Sequence, residues 1–106
     1  MALTVKEVEY FYSLVADKPG EGRKLLEFLS EKEVDLLALT AFPKGDGQSQ
    51  IDFIPADPDL LKKAARDAGI VLVGPKKAFL IQGEDRIGAL YESHLKLSNA
   101  GINIYA

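Results

Sequence analysis

The sequence predicts an α+β fold: one ferredoxin-like βαββαβ unit followed by a second, incomplete βαβ repeat. Three observations carry this expectation. From Glu7 to Gly74 the hydrophobic periodicities run strand, helix, strand, strand, helix, strand, the split βαβ order that lays two helices on one side of an antiparallel sheet. After the short joint "GPKK" the order strand, helix, strand begins again. The two beginnings also keep a fixed spacing, with Gly88 lying 68 positions after Gly20 and Asp85 lying 68 after Asp17, as a duplicated unit requires.

Each element has a local reason. In "EVEYFYSLV" Val8, Tyr10, Tyr12 and Leu14 alternate as on a half-buried strand. In "ADKPGEGRKLLEFLSEKE" Asp17 and Pro19 are start signals, and Gly22, Leu25, Leu26 and Leu29 share one helical face. "VDLLALTAF" is apolar at both even and odd positions, so this strand needs cover on both faces. "PKGDGQ" reads as a hairpin turn, and "SQIDFIP" returns with Ile51 and Phe53 on one side. In "ADPDLLKKAARDAG" Asp57 is the expected N-cap, Pro58 the first helical residue and Gly69 the stop, with Leu60, Leu61, Ala64 and Ala68 on the inner face. "IVLVG" closes the first unit as a strand. The second is expected as strand "AFLIQ", helix "EDRIGALYESHLKLSNAG" and strand "INIYA".

Composition narrows the chemistry. With 106 residues, 47% of them hydrophobic and 27% charged, the chain can bury one modest core. A formal charge of −3 supplies no cation excess for a phosphate backbone, so no nucleic acid is expected as a partner. No stretch reaches the roughly 20 apolar residues of a bilayer span, and "MALTVKEVEY" lacks the basic and apolar regions of a leader; a cytoplasmic protein with no membrane partner is expected. There is no cysteine and only one histidine, His94, which removes thiolate chemistry and leaves no metal site to expect. "KGDG" follows a strand without opening a helix, so it reads as a turn and not a phosphate loop. No cofactor is expected.

"DKPGEGRKLLEFLSEKEVDLLA" and "DRIGALYESHLKLSNAGINIYA" each resemble the start of an ACT domain, the small regulatory module of amino-acid metabolism. That family's first loop and helix typically read Pro-Gly-x-Leu, and its second strand typically opens Gly-(Ile/Val)-Asn-(Ile/Leu). "GALYE" is similar to the helix start that lines the phenylalanine site in the ACT regions of prephenate dehydratases and aromatic amino-acid hydroxylases. The resemblance implies a tandem pair: residues 1–75 as a first ACT domain, and 76–106 as a second that stops after its second strand. Ile87 stands where the family has Pro, His94 where it tends to have Leu, and Asp35 where the first repeat should have Asn. The implied ligand site comprises Asp17, Pro19 and Gly20 at the first corner and Asp85, Ile87, Gly88, Ala89 and Leu90 at the second, with Asn103.

The corner chemistry has a physical basis. A helix start exposes backbone N–H groups at the positive end of the macrodipole, and glycine lets an anion come close. Such a dipole contributes about 0.3 to 1 kcal/mol, whereas micromolar binding needs roughly 8, so one corner cannot hold a metabolite alone. A zwitterion suits the mixed charges, its carboxylate on the glycine backbone and its ammonium on Asp85 or the Asn103 carbonyl. Asp17 and Asp85 have a second reading as plain helix caps, and Asn103 a second reading as a turn or edge residue. His94, with Leu90 and Leu97 at i−4 and i+3, is expected to point into the layer between helix and sheet as a hydrogen-bonded core or interface residue. No nucleophile or acid–base pair accompanies it, so no enzyme and no catalytic residue is expected.

The expected function is therefore a regulatory module that binds an amino acid or similar small metabolite at an ACT–ACT or subunit interface, assembling as a homodimer or higher oligomer. The alternative is a ligand-free dimerisation module. Two-faced apolar strands require cover, and Leu90, Leu97 and Ile104 of the truncated second unit would leave apolar surface open; a further segment or another subunit is expected to close it.

Overall fold

A computed structural model describes residues 3–104. The elements run β1 (Thr4–Ala16), α1 (Glu21–Glu31), β2 (Leu36–Gly45), β3 (Gln48–Pro55), α2 (Pro58–Ala68), β4 (Val73–Gln82) and α3 (Ala89–Asn99). The first six form the expected βαββαβ order, and their strands make one four-stranded sheet in the order β2-β3-β1-β4. β3 pairs antiparallel with both β1 and β2. This is an α+β, ferredoxin-like arrangement.

Local chemistry sets the helix limits. Asp57 caps α2, its carboxylate accepting from the N–H groups of Asp59 and Leu60, and Pro58 opens the helix. Gly69, left-handed at φ 71°, closes it as a residue without a Cβ does most cheaply. The core lies between helices and sheet: Phe11 from β1, Ile51 and Phe53 from β3, Leu25 and Leu29 from α1, and Leu61 and Ala64 from α2. Phe53 is wholly buried and is the register partner of both Phe11 and Leu39, so that row of the sheet lies under the helices.

β1 is therefore inverted relative to the alternation expected from Val8, Tyr10, Tyr12 and Leu14. Phe11 and Ser13 are buried, while Leu14 is exposed. The strand is apolar in both phases, and pairing decides: Phe11 meets Phe53 and Ser13 meets Ile51, which already face the helices. Ser13 is accommodated there by donating to the Val71 carbonyl at 3.0 Å, as a buried hydroxyl requires.

The expected strand "IVLVG" is formed only at Val73 and Gly74, which join "AFLIQ" in one strand, β4, running through the presumed joint "GPKK"; Ile70, Val71 and Leu72 lie before it, outside any strand. Pro75 is tolerated because β4 is an edge strand in the sheet order. Gly74 allows close approach: a Cβ there would lie 2.9 Å from Phe11 Cδ2 and 2.9 Å from the Tyr10 carbonyl oxygen.

The chain packs as two compact units, and the division falls inside β1 and β4. One unit is Glu7–Ala78, holding all of the core described above. The other combines residues 3–6 with residues 79–104. In this second unit no side chain of α3 is buried, and Phe79, Leu90, Tyr91, Ile102 and Ile104 are exposed. The expected strand "INIYA" is not formed over residues 102–104; a strand there needs a hydrogen-bonding neighbour, and no pairing includes these residues. Tyr105 and Ala106 lie outside the described residues.

Candidate functional site

The corner between β1 and α1 follows from its glycine. Gly20 stands at the N-cap of α1 with φ 91° and ψ −13°, a left-handed conformation that favours glycine. A Cβ there would meet nothing within 4 Å, so conformation and not crowding is what glycine satisfies. The Glu21 N–H reaches the Lys18 carbonyl at 3.4 Å and the Lys24 N–H the Gly20 carbonyl at 3.0 Å. No side chain caps this helix. Asp17 is exposed, and its backbone N–H donates to the Gly47 carbonyl at 2.8 Å.

The corner before α3 repeats this construction. Gly88 is its N-cap at φ 79° and ψ 6°, again without a side-chain cap. The Ala89 N–H donates to the Arg86 carbonyl at 3.1 Å, the same bond as Glu21 to Lys18, displaced by 68 positions. The far ends also match. Lys32, Glu33 and Val34 donate to Phe28, Ser30 and Leu29, and Ala100, Gly101 and Ile102 donate to Lys96, Ser98 and Leu97. Each set includes the paired long and short bonds of a Schellman ending. The 68-residue offset is thus a repeat of backbone geometry at both ends of a helix.

The capping reading of Asp17 and Asp85 is not met, because α1 and α3 start on uncapped glycine. Of the three helices, only α2 has its first N–H groups taken by a side chain. Asp17, Pro19 and Gly20 lie in one βα loop; Asp85, Ile87 and Gly88 lie in the other, with Ala89 and Leu90 following as the first residues of α3. Ile87 and Leu90 are exposed, Ala89 is half-buried, and Asn103 is exposed and outside any strand.

The two corners differ in charge. At the first, Glu21 follows the glycine, its carboxylate bracketed by Lys18 Nζ at 3.5 Å and Lys24 Nζ at 3.7 Å. At the second, Ala89 occupies the same place and carries no charge, while Arg86 pairs with Glu92 at 3.6 Å.

His94 does not enter a core layer. It is exposed, with Nδ1 2.7 Å from the Leu90 carbonyl oxygen one turn earlier, an i−4 contact within its own helix that ties the ring to the surface. Among the described residues no cluster of three His, Asp or Glu side chains could hold a metal ion, and no helix is long and apolar enough to cross a membrane.

A feature not anticipated from the sequence is a groove of about 730 Å³ beside α1, with Leu26, Leu39, Ala41 and Ile51 as floor and Arg23 and Glu27 on its rim. Leu26 is about 41% and Leu39 about 40% exposed. Its signal was the two-faced apolar pattern of β2, which marks a surface needing cover without saying where the cover comes from.

No protein-family model matches this chain, and no curated protein matches it in sequence. Solved structures do resemble it. Protein BT0572 from Bacteroides thetaiotaomicron aligns with a TM-score of 0.67 at 21% identity, covering 95% of this chain and 69% of that one. The regulatory subunit of aspartate kinase from Thermus flavus gives 0.63 at 17% identity, covering 100% and 79%. That from Thermus thermophilus gives 0.60 at 17% identity, covering 97% and 77%. At these identities the likeness is one of fold.

Proposed function

We propose that this chain is a ligand-sensing regulatory module of the tandem ACT type, binding an amino acid or similar zwitterion at its glycine corners, where a neighbouring ACT unit or subunit completes the site. The observation that carries this reading is the repeated helix start: Gly20 and Gly88 present left-handed, uncapped N-termini of the same construction. Glu21 and Ala89 donate to the carbonyls of the preceding turn, while the N–H groups of Gly22 and Leu90, which no side chain caps, suit a carboxylate, and the exposed Asp85 carboxylate suits an ammonium. The fold likeness to aspartate kinase regulatory subunits supports the regulatory assignment. On this reading the chain is not an enzyme, acts in the cytoplasm and transmits ligand binding through assembly.

Calorimetric titration with each of the twenty amino acids tests the proposal. Saturable heat from at least one is expected; no heat from any would overturn it. The second reading, a ligand-free dimerisation module, is favoured by the exposed groove beside α1, and a stable dimer that binds no amino acid would establish it.

A further inference from the structure

The sheet has a second face, turned away from the helices. Phe11 and Ser13 of β1 and Ile51 and Phe53 of β3 are buried on the helix side, so strand alternation turns Tyr12, Leu14, Gln50 and Asp52 to the other. Register sets two neighbouring rows there: Leu14, Gln50 and Phe42, and Tyr12, Asp52 and Thr40. Leu14 and Phe42 are exposed. The polar members satisfy one another, the Asp52 carboxylate accepting from Thr40 Oγ1 at 3.1 Å and from Gln50 Nε2 at 2.9 Å, so covering this face strands no carboxylate oxygen. Two cations frame it. Lys44 Nζ lies 5.7 Å and Lys76 Nζ 5.2 Å from the centre of the Tyr12 ring, and among the described residues neither pairs with a carboxylate. All of these residues belong to the Glu7–Ala78 unit.

We infer that this face docks an acidic amphipathic helix of another protein, with its apolar stripe on Tyr12, Leu14 and Phe42 and its flanking carboxylates on Lys44 and Lys76. Leu14 and Phe42 stand two strands apart, about 10 Å at the usual strand spacing, which is about the width of a helix. A helix layer is an ordinary cover for an open sheet face. Charge selects the partner. Two ammonium groups held on one ring repel each other, and a carboxylate between them relieves that repulsion. A second copy of this face has none to give, since the acid of these rows, Asp52, is engaged by Thr40 and Gln50. Single-stranded nucleic acid fits less well. β3, which lies between β1 and β2, carries Gln50 and Asp52 where base stacking needs aromatic rings, and the Asp52 carboxylate would oppose phosphates on a chain whose formal charge is already −3. The surface is distinct from the groove beside α1, which Leu39, Ala41 and Ile51 line from the helix side, and it lies beyond the ligand reading of the glycine corners.

Backbone amide resonances of the full chain, followed during titration with synthetic stapled helices, test this. A helix with a leucine and phenylalanine stripe flanked by glutamates is expected to bind saturably, to shift the amides of Tyr12, Leu14, Phe42 and Asp52, and to bind more weakly as salt is raised. Lys44→Glu with Lys76→Glu is expected to weaken that binding at least tenfold and to gain binding of the same helix flanked by lysines. Phe42→Ala is expected to weaken the glutamate-flanked helix without exchanging the preference. No binding of that helix to the wild type, equal binding of the lysine-flanked helix, shifts confined to other segments, or an oligouridylate that binds the same amides more tightly would overturn the inference. Should Phe42→Ala fail to fold by far-ultraviolet circular dichroism, the lysine pair decides, since both residues are exposed.

Discussion

Glu33 and Gly101 hold the same position in two helix endings, 68 residues apart, and both are left-handed, at φ 58° and φ 76°. Each donates its N–H into the last turn, to Ser30 and Ser98 respectively. One ending uses the residue that adopts this conformation freely and the other does not. A side chain in the left-handed region costs about 1–2 kcal/mol, of which glycine's extra unfolded-state freedom returns about 0.5–1. Glu33→Gly is therefore expected to stabilise the protein by about 0.5–1 kcal/mol, seen as a higher urea midpoint at unchanged slope.

Gly74 is constrained by space as well as by backbone. Gly74→Ala places a methyl group against the buried Phe11 ring and the Tyr10 carbonyl, each 2.9 Å from its Cβ. Gly69 is left-handed too, but a Cβ there meets nothing within 4 Å. Gly74→Ala should cost about 1–3 kcal/mol beyond the backbone term, and more than Gly69→Ala in the same denaturation series. Equal losses would contradict the close approach of β4 to β1.

Three aspartates near helix starts should behave unequally. Asp57→Ala removes the side-chain bonds to Asp59 and Leu60 and is expected to cost about 1 kcal/mol. Asp17→Ala and Asp85→Ala remove no cap and should stay within about 0.5 kcal/mol of wild type. Thermal unfolding of the three variants checks the order, and a large loss at Asp17 or Asp85 would revive their capping role.

These contrasts indicate what was legible in the sequence. The limits of α2 could be read because Asp57, Pro58 and Gly69 act within their own turn, independent of the rest of the fold. The glycine corners were legible for the same reason. The phase of β1 was not, since both faces of the strand carry aromatic residues, Tyr10 and Tyr12 on one and Phe11 on the other, and pairing with β3 chooses between them. "GPKK" looked like a linker because Gly and Pro ordinarily punctuate, whereas here an edge position and a close approach give them roles inside a strand. His94 was misplaced because apolar neighbours at helical spacing imply a buried face only where something covers it, and α3 has no buried side chain.

Glu21 sets an expected asymmetry between the corners. Its carboxylate, held by Lys18 and Lys24, stands at the first helix start where an incoming carboxylate would meet like charge. Ala89 offers no such obstacle at the second. Titration with the amino acid that binds should give one site per wild-type chain and two in Glu21→Gln, whereas a stoichiometry unchanged by the substitution would show that Glu21 does not exclude ligand.

The most direct test follows backbone amide resonances during titration with the amino acid that gives heat. The account predicts the largest shifts at the amides of Gly88, Ala89 and Leu90, with smaller changes elsewhere. Shifts confined to other segments, leaving those three amides unmoved, would contradict it.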